Sequence, residues 1–195
     1  MSPTSVVLVR HGETEWSRAH RHTGRTDIPL TDLGREQARR AGTVLAGREL
    51  SLVLCSPLGR AVDTCRLAGL EEHAELVDDL QEWDYGLAEG RSTADMQREE
   101  PGWTVWTHPS TAESAEDVGE RADRVLTRVE AADGDVAVVA HGHMLRILTA
   151  RWLGLPAHYG KNFVLATATL STLGYEHGNR VVQVWNDSGH LLQRP

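Results

Sequence analysis

The chain has 195 residues, 40% of them hydrophobic, and a formal net charge of −8 at pH 7. That length fits one domain, 1–195, with one sizeable core, and the acidic balance argues against nucleic acid or an anionic membrane surface as partner. No run reaches the ~18 apolar residues that a membrane span needs.

The first residues, Met1 to Ser5, carry no basic segment ahead of an apolar run, so no signal peptide is expected and the cytoplasm is the expected compartment. Cys55 and Cys65 lie in apolar surroundings and read as buried free thiols. Of the 20 basic residues, all but Lys161 are arginine. An arginine near a motif therefore carries weight only through its position.

In chain order, Val6 to Val9 form a short buried strand that runs straight into Arg10-His11-Gly12. Chemistry in an open α/β sheet gathers at the carboxyl ends of strands, and a basic pair held there suits an anion. The stretch from Glu15 to Asp27 is polar and lacks apolar periodicity, so it reads as a loop with at most one helical turn. Arg18, Arg21, His22 and Arg25 crowd it, and Ser17, Thr23 and the Gly24 amide are candidate donors to a phosphate. Thr31 is a helix N-cap. Leu33, Ala38, Ala41, Val44 and Leu45 then share one helical face, and Gly47 ends the helix.

Ser51 to Cys55 is a second strand. Ser56 as N-cap and Pro57 at the first helical position start the next helix, which places Arg60 in the first turn beside free amides that favour an anion. Glu75 to Val77 is a short extended piece. Leu80 to Gly90 fits neither period and reads as a structured loop with three carboxylates. Beside Trp83 a carboxylate is partly desolvated, which suits a general acid.

Residues at about 91–117 read as a helical lid or insertion, with Trp103 and Trp106 on one helical face as packing residues. Ser114 caps a helix that carries Val118, Ala122, Val125 and Val129 on one side. Val136 to Ala140 is the most strand-like run and ends in His141-Gly142-His143. A helix with Leu145, Leu148 and Trp152 follows. Ala166 to Tyr175 and Arg180 to Trp185 form an antiparallel hairpin around His177-Gly178-Asn179.

Two strands thus end at His-Gly. Two arginines sit at strand ends and a carboxylate lies in a structured loop. A neutral imidazole can attack phosphorus, and arginines hold phosphate oxygens bidentately. A carboxylic acid protonates the leaving alkoxide, so the scheme calls for no metal and no cofactor. Arg10-His11-Gly12-Glu13-Thr14, Thr23-Gly24, Ser56-Pro57 with Arg60 and Thr64, Glu82 with Gly86 and Glu89-Gly90, and His141-Gly142-His143 together resemble the histidine phosphatase superfamily, the phosphoglycerate mutase-like family.

The resemblance implies an α/β three-layer sandwich, a mixed and mostly parallel sheet with helices on both faces. It implies that His11 is phosphorylated, that Arg10, Arg60 and His141 hold the phosphate, and that Glu82 donates the proton and later activates water. Ser17, Thr23 and Gly24 would line the phosphate site, with Tyr85 and Gly142 as further contacts. The expected activity is a metal-independent phosphomonoesterase on a small phosphorylated metabolite. Its nearest likeness is the branch of acid and sugar phosphatases. A homodimer is left open.

The chain departs from the mutases of that family. Trp83 stands where they have Arg after the acid, His143 where they have Asn, and Ser17 where they have Asn. Ala112-Glu113-Ser114 replaces their Gly-Glu-Ser, which leaves a substrate role for Glu113 open. Fewer anion contacts point from mutase to phosphatase, with a phosphoglycerate mutase or a sugar bisphosphatase of sedoheptulose or fructose bisphosphate type as alternatives. His20-x-His22 and His141-x-His143 carry the ligand spacing of a metal hydrolase but no carboxylate cluster. A phosphate-binding module without turnover is the remaining alternative.

Overall fold

The computed structural model describes residues 5–107 and 111–192. Met1 to Thr4, on which the leader reading rests, and part of the 91–117 segment lie outside the described residues. In chain order the elements are β1 (Ser5–Arg10), α1 (Glu15–Arg18), α2 (Asp32–Leu45), β2 (Leu50–Cys55), α3 (Gly59–Leu67) and β3 (Ala74–Leu76). There follow α4 (Thr93–Glu99), α5 (Ala115–Glu130), β4 (Asp135–Ala140), α6 (Gly142–Trp152), β5 (Leu170–Glu176), β6 (Asn179–Asp187) and α7 (Gly189–Leu192).

The strands form one six-stranded sheet in the order β3-β2-β4-β1-β5-β6. β3, β2, β4 and β1 pair in parallel, and β5 and β6 complete the sheet antiparallel. Helices cover both faces, and period-two alternation assigns the side chains. Val6, Leu8, Leu54, Val136 and Val138 pack with Val118, Val125, Leu145 and Trp152 of α5 and α6. Val7, Val9, Val53, Ala137 and Val139 pack with Ala41, Leu45, Ala61 and Cys65 of α2 and α3. Both cysteines are buried and free.

The expected caps of α2 and α5 are in place. Thr31 accepts the Gly34 amide, and Ser114 forms a capping box with Asp117. Four expectations need correction. Leu33 and Val44 are exposed, and Gly34, Ala38, Ala41 and Leu45 form the buried face of α2. The cause is a backbone crossing: a Cβ on Gly12 would lie 2.3 Å from the Gly34 oxygen, which sets the rotation of α2. The helix after β2 starts at Gly59 with Leu58 at its N-cap, so Ser56 caps nothing.

Trp103 and Trp106 pack as expected but follow α4 in a turn rather than sharing a helix; Trp103 is buried, and Trp106 meets Trp83 edge-on at 5.4 Å. The hairpin turns at His177 and Gly178, both at positive φ. Its first strand begins only at Leu170, because Ala168 turns back to donate its amide to the carbonyls of Arg10 and His11. Among the described residues no helix is long and apolar enough to cross a membrane.

Candidate active site

β1 and β4 lie side by side with Arg10 opposite Ala140. Both strands therefore deliver their His-Gly pairs to the same edge. The rings of His11 and His141 stand 5.2 Å apart between centroids, tilted by 56°. The His11 amide donates to the Ala140 carbonyl at 3.0 Å, which continues the ladder past the strand end.

His11 Nδ1 lies 2.8 Å from the Gly12 carbonyl oxygen. A carbonyl only accepts, so Nδ1 carries the proton and Nε2 keeps its lone pair. Burial, then Arg60, then Arg10, hold this imidazole well below its ordinary pKa. The result is a neutral ring with an unprotonated Nε2, the form that acts as a nucleophile. Gly12 is itself fixed, its amide donating to Thr64 Oγ1 at 3.0 Å.

His141 is fully buried, with Nε2 2.7 Å from Ser56 Oγ. Ser56 Oγ already accepts the Leu58 amide at 3.4 Å. Its single proton is then available to His141 Nε2, which leaves Nδ1 as the protonated nitrogen. Burial first, then Arg60, His11 and Arg10, lower the pKa of His141 well below its ordinary value. His141 is thus a neutral imidazole beside two guanidiniums, aimed by Ser56.

Arg60 is fully buried and donates to the carbonyls of Thr26, Thr23 and Gly24 at 3.0, 3.1 and 2.8 Å. Arg10 donates to the Leu165 carbonyl. Burial lowers the pKa of both guanidiniums and Glu82 is the leading group that opposes it, yet arginine stays charged. Arg10 Nε, Arg60 Nε and His141 Nδ1 are buried and have no hydrogen-bond partner among the described residues. Leaving a buried donor unsatisfied costs ~1–3 kcal/mol. Donors of this kind, grouped about His11, suit an oxyanion.

Glu82 is buried. Its Oε1 accepts the amides of Trp83 and Met144, each at 2.9 Å, and its Oε2 accepts the His143 amide at 3.0 Å. The carboxylate thus closes the N-terminus of α6 and sits beside the helix that His141 opens. Oε2 has the fewer partners and is the oxygen with capacity left for a ligand. The loop that carries it is clamped from outside. Glu113 takes Arg121 in a bidentate pair at 2.9 and 3.0 Å and accepts the Asp84 amide at 2.8 Å. Glu113 therefore holds the loop that carries Glu82.

A cavity of about 590 Å³ opens on this edge, lined among others by Arg10, His11, Ser17, Thr23, Glu82, Tyr85 and Gly142. Ser17 and Thr23 reach it with occupied hydroxyls: Ser17 is in a capping box with Thr14, and Thr23 donates to the Arg21 carbonyl at 3.2 Å. The expectation for the Gly24 amide is corrected. It donates to both Glu89 oxygens at 3.0 Å, and the Gly24 carbonyl holds Arg60. Gly24 is a support of the site. Tyr85 Oη lies 2.6 Å from His143 Nδ1. Burial, then Glu82, push the Tyr85 pKa well up, so the phenol keeps its proton and donates it.

The residue-level reading missed Glu13, His22, His143 and Arg146 as lining residues. Helical spacing contained the signal for Arg146, which lies one turn beyond Gly142 on α6. The two His-x-His pairs do not converge on a metal. His141 and His143 turn to Ser56 and Tyr85, and among the described residues no group of three or more His, Cys, Asp or Glu is placed to hold one.

The fold and the matched relatives define a phosphatase, a hydrolase. The chain belongs to the histidine phosphatase superfamily (branch 1), which matches it over residues 6–188. It is 44% identical over 190 residues to an acid phosphatase of Mycobacterium tuberculosis, covering 95% of this chain and 93% of the relative. It is 33% identical over 183 residues to a sedoheptulose 1,7-bisphosphatase of Saccharomyces cerevisiae, covering 76% of this chain and 67% of that one. Among solved structures, that of an open reading frame of Mycobacterium tuberculosis superposes with a TM-score of 0.86 at 42% identity, covering 93% of this chain and 96% of the other.

Proposed function

We propose that the protein is a metal-independent phosphomonoesterase that works through a phosphohistidine on His11 and acts on a small phosphorylated metabolite in the cytoplasm. The carrying observation is the arrangement about His11: an imidazole whose Nε2 is unprotonated, beside three buried N–H donors without acceptors. Two arginines supply the positive charge that phosphoryl transfer needs around the equatorial oxygens. The acid phosphatase and the bisphosphatase among the relatives support a phosphomonoester substrate. Free Cys55 and Cys65 fit a reducing compartment.

In the first step His11 Nε2 attacks phosphorus, the P–N bond forms and the P–O bond to the alcohol breaks. Glu82 gives its proton to the departing alkoxide. In the second step water attacks the phosphohistidine, Glu82 takes a proton from it, and the P–N bond breaks to release phosphate. The incoming phosphate dianion offsets the charge of Arg10 and Arg60, which allows His141 Nδ1–H to bond an equatorial oxygen.

The test is initial rates on p-nitrophenyl phosphate and a panel of phosphorylated metabolites, without added metal and with a strong chelator. Turnover that survives the chelator is expected. Loss of activity in the chelator contradicts the metal-free scheme, and phosphate binding without turnover makes the protein a binding module. Interconversion of 2- and 3-phosphoglycerate that depends on bisphosphoglycerate would make it a mutase.

A further inference from the structure

Arg10 is directed by one backbone group. Its Nη1 donates to the Leu165 carbonyl, and among the described residues its guanidinium makes no other hydrogen bond. On another side it lies against Gly142, where a Cβ would sit 3.3 Å from Arg10 Cζ. The direction of the Leu165 carbonyl therefore sets the direction of the guanidinium. Leu165 belongs to the segment 164–167, which lines the cavity but is part of no helix or strand. No backbone ladder fixes its peptide planes.

The segment is held instead by side chains of β6, from outside the cavity lining. The Ala166 amide donates to Asn186 Oδ1 at 2.8 Å. That N–H and the Leu165 carbonyl are the two ends of one planar peptide unit and point to opposite sides of it. Asn186 thus grips the plane at the end opposite to Arg10. Trp185 Nε1 donates to the Val164 carbonyl at 2.7 Å, which fixes the preceding peptide, and the Leu165 side chain is buried. Ala166 is exposed, so water would satisfy its amide as well. What Asn186 adds is direction.

Asn186 adopts an uncommon backbone to reach this amide. Its φ is 57°, a left-handed value that Asn tolerates better than most residues. It sits where the β5–β6 register slips: Leu170 faces Asp187 and Thr172 faces Val184, so three steps on β6 match two on β5. Such irregularities re-aim a side chain. The Asn186 amide is itself held by Ser171 Oγ at 2.9 Å, and Ser171 is fully buried.

We infer that Asn186 is a positioning residue for the phosphoryl site: it fixes the Leu165–Ala166 peptide and, through the carbonyl of that peptide, aims the Arg10 guanidinium. This rests on the phosphatase reading above, in which Arg10 holds the phosphate, and adds to it a residue that does not touch the substrate.

The experiment is a double-mutant cycle. Asn186→Gly and Asn186→Asp are made in wild type and in Arg10→Met, and kcat/KM on p-nitrophenyl phosphate and inhibition by inorganic phosphate are measured. Glycine adopts the left-handed φ without penalty, so its effect is that of the lost amide group. Asn186→Gly is expected to lower kcat/KM by about three- to tenfold, the equivalent of one hydrogen bond, and to weaken phosphate inhibition alongside. Asn186→Asp keeps an acceptor oxygen and is expected within about twofold of wild type. In Arg10→Met, Asn186→Gly is expected to cost nothing further; a merely structural role would give losses that multiply.

Multiplying losses, an Asn186→Gly rate within twofold of wild type, or an equal loss in Asn186→Asp overturn the inference. Where Asn186→Gly fails to fold, the same cycle with Trp185→Phe decides by the same criterion. Where Arg10→Met turns over too slowly to measure, the guanidinium ¹⁵N shifts of Arg10 decide: a change in Asn186→Gly supports the inference, and none overturns it. No turnover in wild type overturns the phosphatase reading; phosphate affinity by calorimetry then carries the cycle, and absence of phosphate binding overturns both.

Discussion

Removing the Ser56 hydroxyl isolates one contact of the site. Ser56→Ala deletes the 2.7 Å bond to His141 Nε2 and little else, because the side chain is fully buried and its other hydroxyl contact is the 3.4 Å Leu58 amide. His141 is also fully buried, so water does not replace the lost partner. A buried polar atom stranded in this way costs ~1–3 kcal/mol. If the hydroxyl fixes the tautomer and aim of His141 in the transition state, that cost converts to a loss of about 10- to 100-fold in kcat/KM.

The assay is steady-state turnover of p-nitrophenyl phosphate, with thermal unfolding measured in parallel so that a loss of fold is not counted as a loss of rate. A second readout separates positioning from packing. The ring ¹⁵N shifts of His141 are expected to report one Nδ1–H tautomer in wild type and a tautomer mixture in Ser56→Ala. A variant with rate within about twofold of wild type and an unchanged tautomer would refute the reasoning.

Glu82→Gln keeps the size of the side chain and removes the transferable proton. Turnover of alkyl phosphates is expected to fall by about 10²–10⁴, with a much smaller loss on p-nitrophenyl phosphate, whose leaving group needs little protonation; equal losses would assign the acid elsewhere. Stability is expected to fall on acidification below about pH 6.5. The pKa values of His11, His141 and His143 are lowered on folding, and that of His22 is lowered to about 4, in each case chiefly by burial. Between the folded and unfolded values the unfolded chain binds more protons, so stability rises with pH in that window. From 6.5 to about 4, His22 alone accounts for ~3 kcal/mol. Urea titrations from pH 7 to 4 check this, and constant stability across the range contradicts it.

The layers of the fold were legible because they follow from local periodicity. Val6 to Val9 and Val136 to Ala140 are continuous apolar runs, as strands buried on both faces must be. The recurrence of His-Gly after both runs foretold that His11 and His141 belong to one edge. The supports were not legible. Ser56 next to Pro57 has every local mark of an N-cap, and the residue that claims its hydroxyl is 85 positions away. The Gly24 amide is a free donor until Glu89, 65 positions on, folds against it. The rotation of α2 is set by Gly12 against Gly34, so apolar spacing alone misplaced Leu33 and Val44. Glu113 showed only as a departure from a motif, because its partner Arg121 comes into register two turns into α5. Each of these rests on a contact between segments that no periodicity encodes.

The most direct measurement is rapid acid-free quenching of the enzyme with ³²P-labelled substrate, followed by peptide mapping. A covalent phosphoryl group that is stable to alkali, labile to acid and located on His11 is expected, formed at least as fast as turnover, and His11→Ala should neither label nor turn over. Turnover with no labelled peptide, or a label on any other residue, would contradict the assignment of His11 Nε2 as the atom that receives the phosphoryl group.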